Sequence, residues 1–448
     1  MKKLSRSRNK DPFSGSGQRL WKKAKTLIPG GNQLLSKRAE MFLPNLWPAY
    51  YSKAKGAYLW DLDGHKYLDM TSMGVGSCIL GYADPDVDRA VIHRIRRGSM
   101  ATLNAPEEVE LAELLCEIHP WAHMVRYART GGESMAIAAR IARAYTGKDV
   151  IAFCGYHGWA DWYLAANLEN KVGLDEHLLK GLEPKGVPKA LKGSIVPFRY
   201  NHIEELEEII QNNPSLAAVI MEPFHGEWPK DNFLQKVREL AKKAGAVLVF
   251  DEITVGWRMT LGGAHLSLGV NPDMAIFAKS MSNGYPMAAI IGTRKVMQAA
   301  QDTFISSTYW TEGIGPTATL ASIKKMKRVK LAKYLEQIGK KMKNGWERAA
   351  KTHGINVRFG GIPALQFYTF LGHDSQIVKT LFVQEMLRRG ILATNAYYPS
   401  YVHSMAHVKR YIQAMDEVFA IIAKGIRGNT LQGLLKGPVA HSGFERLN

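Results

Sequence analysis

Only three cysteines, Cys78, Cys116 and Cys154, occur in 448 residues. They are too few and too widely spaced for a disulfide framework or a CxxC metal site, so no metal centre is expected. They read as buried thiols of a reducing compartment. No apolar run approaches the ~20 residues that a membrane span requires; Ala246–Phe250 and Ala288–Gly292 are typical of the longest. The basic, polar start MKKLSRSRNKDPFSGSGQ is not followed by the apolar core of a secretory signal. A soluble, cytoplasmic protein with no membrane partner is therefore expected. Internal repeats and low-complexity stretches are absent as well, which sets aside solenoids and tethers.

What remains is an ordinary globular composition, 46% hydrophobic and 22% charged, with 41 Gly and 19 Pro. That excludes a disordered or collagen-like chain. The length suggests roughly two to three domains. Charge is the departure: 59 Lys plus Arg against 40 Asp plus Glu give +19. A solvated basic surface, an anionic small molecule and nucleic acid each account for such an excess. The basic clusters (Lys2–Lys3, His93–Arg97, Lys324–Arg328, Lys340–Lys343) come without an RNA-recognition aromatic signature, a zinc-finger spacing or a long Lys/Arg block, which argues against nucleic acid.

Residues 1–17 read as a flexible arm, and 18–26 as a helix stopped by Pro29-Gly30-Gly31. Alternating apolar and polar residues on either side of Asp63-Gly64 predict a hairpin over 56–69. Beyond Pro106, amphipathic patterns (Glu107–Ile118, Glu133–Tyr145, Phe233–Ala244) alternate with short apolar runs. The runs are Val150–Phe153, Ala217–Met221, Ala246–Phe250, Met274–Phe277 and Ala288–Gly292. This alternation predicts an α/β fold whose mostly parallel sheet is covered by helices on both faces, with ligands at the carboxyl ends of the strands. A long helical stretch from Gly315-Pro316 to about Ala350 follows. The expected division is an arm and helix over 1–55, a large domain over 56–320, and a smaller α+β domain with a tail over 321–448, the latter with strands at Ala364–Phe370 and Gly390–Thr394.

Four places can carry chemistry. The apolar strand Val247–Phe250 runs into Asp251 and Glu252, and a carboxylate there needs a compensating cation or hydrogen bond. It reads either as functional or as a helix cap. The strand Met274–Phe277 runs into Lys279, either a desolvated amine fit for imine chemistry or one whose tip reaches solvent. Thr130, Gly131 and Gly132 open an Ala-rich helix, as a phosphate seat or as a plain capped loop. Tyr156 lies in a Gly-flanked turn after a strand, placed over a flat cofactor or anchoring the turn. Together, an amine, a carboxylate, a phosphate seat and an aromatic platform are what pyridoxal 5'-phosphate requires.

The order and spacing of these motifs resemble the class III (ω-type) aminotransferases of fold type I, and among them the glutamate-1-semialdehyde aminomutase-like branch. The segments that carry the resemblance, from about Pro29 onward, are PGG (29–31), GAYLWDLDGHKYLDM (56–70), TGGES (130–134), GYHGWAD (155–161), AVIMEP (218–223), VLVFDEITVGWR (247–258) and AKSMSNGYPMAAIIG (278–292). The resemblance implies that Lys279 bonds the cofactor and moves protons, and that Asp251 pairs with its pyridine nitrogen. It implies that Tyr156 and Ile253 cover the two ring faces, that Thr130, Gly131 and Gly132 bind phosphate, and that Glu222 lies near the cofactor. A phosphate-binding threonine from a partner subunit corresponds to Thr308 by its aromatic neighbour or to Thr311 by its distance from Pro316. A homodimer with shared sites is implied, acting on a small-molecule amino donor and an aldehyde or ketone acceptor. Two departures stand out. The usual Asn-Ser-Gly-Thr-Glu turn is Arg129-Thr-Gly-Gly-Glu133 here, and the segment that ends in a substrate-carboxylate arginine reads Asn32-Gln-Leu-Leu-Ser-Lys37-Arg38. Lys37 or Arg38 is the substrate-binding candidate. Transfer between two molecules, onto a sugar-like or anionic carbonyl compound, is the leading expectation, with intramolecular 2,1-amino transfer as the alternative and a non-catalytic, basic nucleic-acid-binding protein as the distant one.

Overall fold

A computed structural model of the chain describes residues 11–169, 173–175, 177, 181–372, 374–443 and 447. The first ten residues of the expected arm, including Lys2–Lys3, lie outside them; by Ser16 the chain is already helical, through Leu27. Two compact units form. One comprises Gly76–Cys78 and Pro85–Lys333; the other gathers the described residues up to Val75, Ile79–Asp84 and those from Tyr334 onward.

The first unit is built on a seven-stranded sheet. Its strands, numbered in chain order, are β1 (Met124–Ala128), β2 (Val150–Cys154), β3 (Ile195–Pro197), β4 (Leu216–Met221), β5 (Val247–Asp251), β6 (Met274–Phe277) and β7 (Ala288–Gly292). They lie in the order β1-β7-β6-β5-β4-β2-β3. Pairing is parallel from β6 through β3, while β7 runs antiparallel to both β6 and β1. Every residue of β4, β5, β6 and β7 is buried. That is why these strands read as continuous apolar runs instead of alternating ones.

The period of two along each strand sorts the side chains between two cores. Ile151, Phe153, Ala218, Ile220, Val247 and Val249 face a cluster with Met135, Ala138, Ile141 and Ala142 of the Gly131–Thr146 helix. Ala152, Val219, Met221, Leu248 and Phe250 face Phe233, Val237 and Ala241 of the Phe233–Lys243 helix. The helical stretch expected from Gly315 to Ala350 is two helices, Ile314–Arg328 and Leu331–His353, with Lys330 between them at φ 50°.

In the second unit, the hairpin at Asp63-Gly64 forms from Tyr58–Asp61 and Lys66–Asp69. The strand Lys66–Asp69 then pairs in parallel with Ile391–Leu392, more than 300 residues downstream. This pairing places the hairpin with the C-terminal elements, so the units divide the chain elsewhere than at the expected 55/56 and 320/321. A three-stranded antiparallel sheet (Val357–Ile362, Leu365–Phe370, Ala396–Tyr397) completes the unit. Its core is aromatic, with Trp346, Tyr368, Phe382, Phe419 and Tyr397 buried together.

Candidate active site

Because β1, β2, β4, β5 and β6 all point the same way, the turns that follow them open on one edge of the sheet, where parallel α/β sheets gather ligands. β2, β4, β5 and β6 are neighbours there, roughly 5 Å apart from strand to strand. Tyr156 follows β2, Glu222 follows β4, Asp251 ends β5, and Lys279 lies two residues beyond β6. The seat at Thr130–Gly132 follows β1.

Asp251 is 4% exposed, and both of its oxygens are engaged. Oδ2 meets Nδ1 of His157 at 2.8 Å, and Oδ1 accepts the Ile253 backbone N–H at 3.0 Å. The other ring nitrogen of His157 lies 3.2 Å from the Cys154 carbonyl. A carboxylate oxygen has two lone pairs, so Asp251 keeps acceptor capacity for a further donor.

Lys279 is held at φ 45°, in the left-handed region that non-glycine residues seldom occupy. Such a conformation persists only where surrounding structure enforces it, and it clusters at functional sites. Its side chain is partly accessible, yet desolvation is the leading influence on the amine and pulls its pKa below the ordinary lysine value. Asp251 and Glu222 oppose the shift and Arg258 reinforces it. The amine thus feels the two carboxylates at the ends of β5 and β4. Nζ donates to Thr254 Oγ1 at 2.8 Å. Burial, with the Asp251 charge second and acting in the same direction, raises the Tyr156 phenol, so the aromatic ring shares this surrounding.

Glu222 pairs with His225, whose pKa is raised by that contact and by Glu227 in spite of burial. A Cβ at Gly155, where φ is +112°, would stand 2.6 Å from Glu222 Oε2, so only glycine fits. Gly155 N–H donates to His177 Nδ1, and Tyr163 Oη donates to the Gly155 carbonyl.

Thr130 caps the Gly131–Thr146 helix in a reciprocal box with Glu133. The capping alternative is therefore what its side chain does here. The Gly131 and Gly132 N–H groups have no acceptor among the described residues, and they stand at the positive end of a 16-residue helix. A Cβ on Gly131 would meet Ile253 Cδ1 at 2.9 Å, so this turn packs directly on the loop after Asp251. Arg129 ties the turn to a distant segment: Nη2 donates to the Glu312 carbonyl at 2.8 Å and the guanidinium pairs with the Glu312 carboxylate.

Thr308 and Thr311 fall in one 3-10 turn and are both exposed. The Thr311 hydroxyl is committed to the Thr308 carbonyl at 2.9 Å, whereas the Thr308 hydroxyl has no partner among the described residues. Lys37 ends a short 3-10 turn and Arg38 follows it in extended conformation. Both belong to the second unit, whereas every other candidate belongs to the first. Sequence reading did not single out His157, Thr254, Arg258, His225 or Glu312. For His157 and His225 the signal was available, since both titratable side chains lie within three residues of a strand-end motif.

The amine, carboxylate, aromatic ring and free helix-end N–H groups fit a phosphorylated pyridine aldehyde. Glycine at 131 and 155 lets the turns carrying these groups approach Ile253 and Glu222 closely, where a Cβ would collide.

The family model described as "Aminotransferase class-III" matches residues 44–419. The chain is 32% identical over 419 residues to 3-aminobutyryl-CoA aminotransferase of Cloacimonas acidaminovorans, covering 90% of this chain and 97% of that one. It is 30% identical over 429 residues to glutamate-1-semialdehyde 2,1-aminomutase of Methanothrix thermoacetophila, covering 92% and 97%. The solved structure of an omega-transaminase from Sphaerobacter thermophilus superposes with a TM-score of 0.80 at 25% identity, covering 92% and 98%.

Proposed function

The chain belongs to the class-III aminotransferases, enzymes of fold type I that transfer amino groups with pyridoxal 5'-phosphate, and from there we propose how its residues divide the work. The observation that carries the proposal is the placement of Tyr156, Glu222, Asp251 and Lys279 at the carboxyl ends of four adjacent parallel strands.

When bound, the cofactor supplies an aldehyde that an amine can bond and a ring that draws electron density from the substrate carbon. Lys279 would hold that aldehyde through its amine and, once released from it, would act as the base that takes a proton from the substrate carbon. Desolvation favours the neutral amine that both tasks need. Asp251, anchored by His157 and the Ile253 N–H, holds a proton at the pyridine nitrogen. Tyr156 and Ile253 cover the ring, and Gly131 and Gly132 bind phosphate through their N–H groups. Thr130 serves that turn by capping it. Glu222 and His225 border the substrate side.

We read the transfer as two-stage: a donor amine leaves its nitrogen on the enzyme and departs as a carbonyl, and an aldehyde or ketone acceptor takes the nitrogen up. The protein acts as a homodimer. Thr308 reaches the partner's phosphate, supported by its exposure and its uncommitted hydroxyl; Lys37 or Arg38 binds an anionic group of the substrate. No disulfide joins the three cysteines, which agrees with a cytoplasmic location, and no helix among the described residues is long and apolar enough to cross a membrane.

Mixing the cofactor-loaded enzyme with candidate amines, 3-amino acyl thioesters among them, tests the proposal. A true donor bleaches the visible absorbance, and a carbonyl acceptor then restores it. Failure of every amine to bleach, or full turnover by Lys279→Ala, overturns it. Intramolecular amino transfer is the second reading, favoured by the mutase relative at 30% identity. The amino-loaded enzyme forming aminolevulinate from glutamate semialdehyde without a donor would select it.

A further inference from the structure

We propose that Thr254 is the positioning residue of Lys279, its hydroxyl fixing where the amine stands; this rests on the function proposed above. Lys279 Nζ donates to Thr254 Oγ1 at 2.8 Å, and no other hydrogen-bond partner of that amine is present among the described residues. The three charged groups that bear on the amine are Asp251, Glu222 and Arg258. None of them bonds it directly.

The turn that carries Thr254 is rigid. The Gly256 N–H donates to the Glu252 carbonyl at 2.8 Å, and the Ile253 N–H donates to Asp251. Arg258, 2% exposed, donates from Nε to the Thr254 carbonyl at 3.1 Å and from Nη2 to the Gly76 carbonyl at 2.7 Å. At the other end, the Lys279 backbone is pinned at a positive φ. A four-carbon side chain stretched between two fixed points has its tip localised by one further bond, and Thr254 provides it. The chemistry of the anchor matters as much as its place. A carboxylate in this position would hold the amine as ammonium, whereas a neutral hydroxyl accepts from the ammonium and can donate to the free amine. Thr254 therefore orients the base without abolishing its basicity.

The test compares Thr254→Val, which keeps the shape and removes the hydroxyl, with Thr254→Ser, which restores it. In the cofactor-loaded enzyme, the Val variant is expected to lose about tenfold in kcat, with KM changed less than about twofold, and Ser to recover most of the loss. A second readout needs no turnover. In cofactor-free protein, acetic anhydride labelling of Lys279 followed by mass spectrometry against pH should show the midpoint moving to lower pH in Val, because the ammonium has lost an acceptor, and returning in Ser. If Val does not fold, Thr254→Ala carries the same expectations. A Val variant with wild-type kcat and midpoint, or a Ser variant that behaves like Val, overturns the assignment. Failure of the underlying function is distinguishable, because it would show as full turnover by Lys279→Ala whatever residue stands at 254.

Discussion

Replacing Asp251 with asparagine probes the centre of the site, and the structure sets what it costs. The carboxylate accepts from two sides, His157 Nδ1 at 2.8 Å and Ile253 N at 3.0 Å, at a position 4% exposed. An amide has one oxygen. If it accepts from the Ile253 N–H, its NH2 group faces His157 Nδ1, which can accept only once the ring carries its proton on Nε2, beside the Cys154 carbonyl; if it turns, it confronts the Ile253 N–H. Either way the hydrogen bond to a charged acceptor is lost, which costs about 1.5–3 kcal/mol. Across 448 residues, an unfolding entropy of roughly 2.1 cal/mol/K per residue converts this to a fall in Tm of about 2–3 °C. The charge change also reaches the amine. The Asp251 charge does most to support the Lys279 ammonium, so its neutralisation should move the labelling midpoint of Lys279 to lower pH. Calorimetry of the cofactor-free protein and anhydride labelling measure the two effects separately. A midpoint that stays fixed or rises would show that carboxylate and amine do not act on one cavity, and the site as drawn would fail.

Lys279→Ala should retain no covalently attached cofactor after borohydride reduction and should lose turnover by several orders of magnitude. Gly155→Ala puts a Cβ at φ +112° and 2.6 Å from Glu222 Oε2; we expect a loss of about 2–4 kcal/mol in urea unfolding, and an unchanged midpoint would contradict the close approach. His119, His177 and His403 are buried and, chiefly through desolvation, have pKa values lowered to about 4 from 6.5. The unfolded chain then takes up their protons first, so the stability they contribute is complete above pH 6.5 and is lost as pH falls from 6.5 to 4. The loss is about 3 kcal/mol for each; His403→Gln should flatten that slope in a pH series of melts. Thr308→Ala should weaken cofactor retention by about tenfold and Thr311→Ala far less; the reverse order, read by dialysis and absorbance, would reassign the phosphate contact.

How far the sequence alone reaches depends on the range of the interaction concerned. The helix Glu107–Ile118 and the strands Met274–Phe277 and Ala288–Gly292 were readable to the residue, because burial on both faces or one face writes itself into local apolar spacing. Asp251 and Lys279 were readable for a related reason, since a charged group ending a fully apolar strand is costly without a purpose. The strand Val357–Ile362, with Gly360 and Gly361 inside it, carries no such spacing, and its hairpin partner alone makes it a strand. Similarly, one residue at Lys330, turned to a positive φ, divides what periodicity shows as a single helix.

The chain's own order of residues determined the α/β layering, the strand-end carboxylate and amine, and the glycines of the turn before the Ala-rich helix. These follow from local patterns of burial and backbone freedom. Only the folded arrangement decided that His157 braces Asp251 across 94 positions, that Thr254 holds Lys279 across 25, and that the hairpin at Asp63 belongs with a strand beyond residue 390. A hydrogen bond or a parallel pairing between distant segments leaves no periodic trace in either one. It exists only where strand order brings the two together.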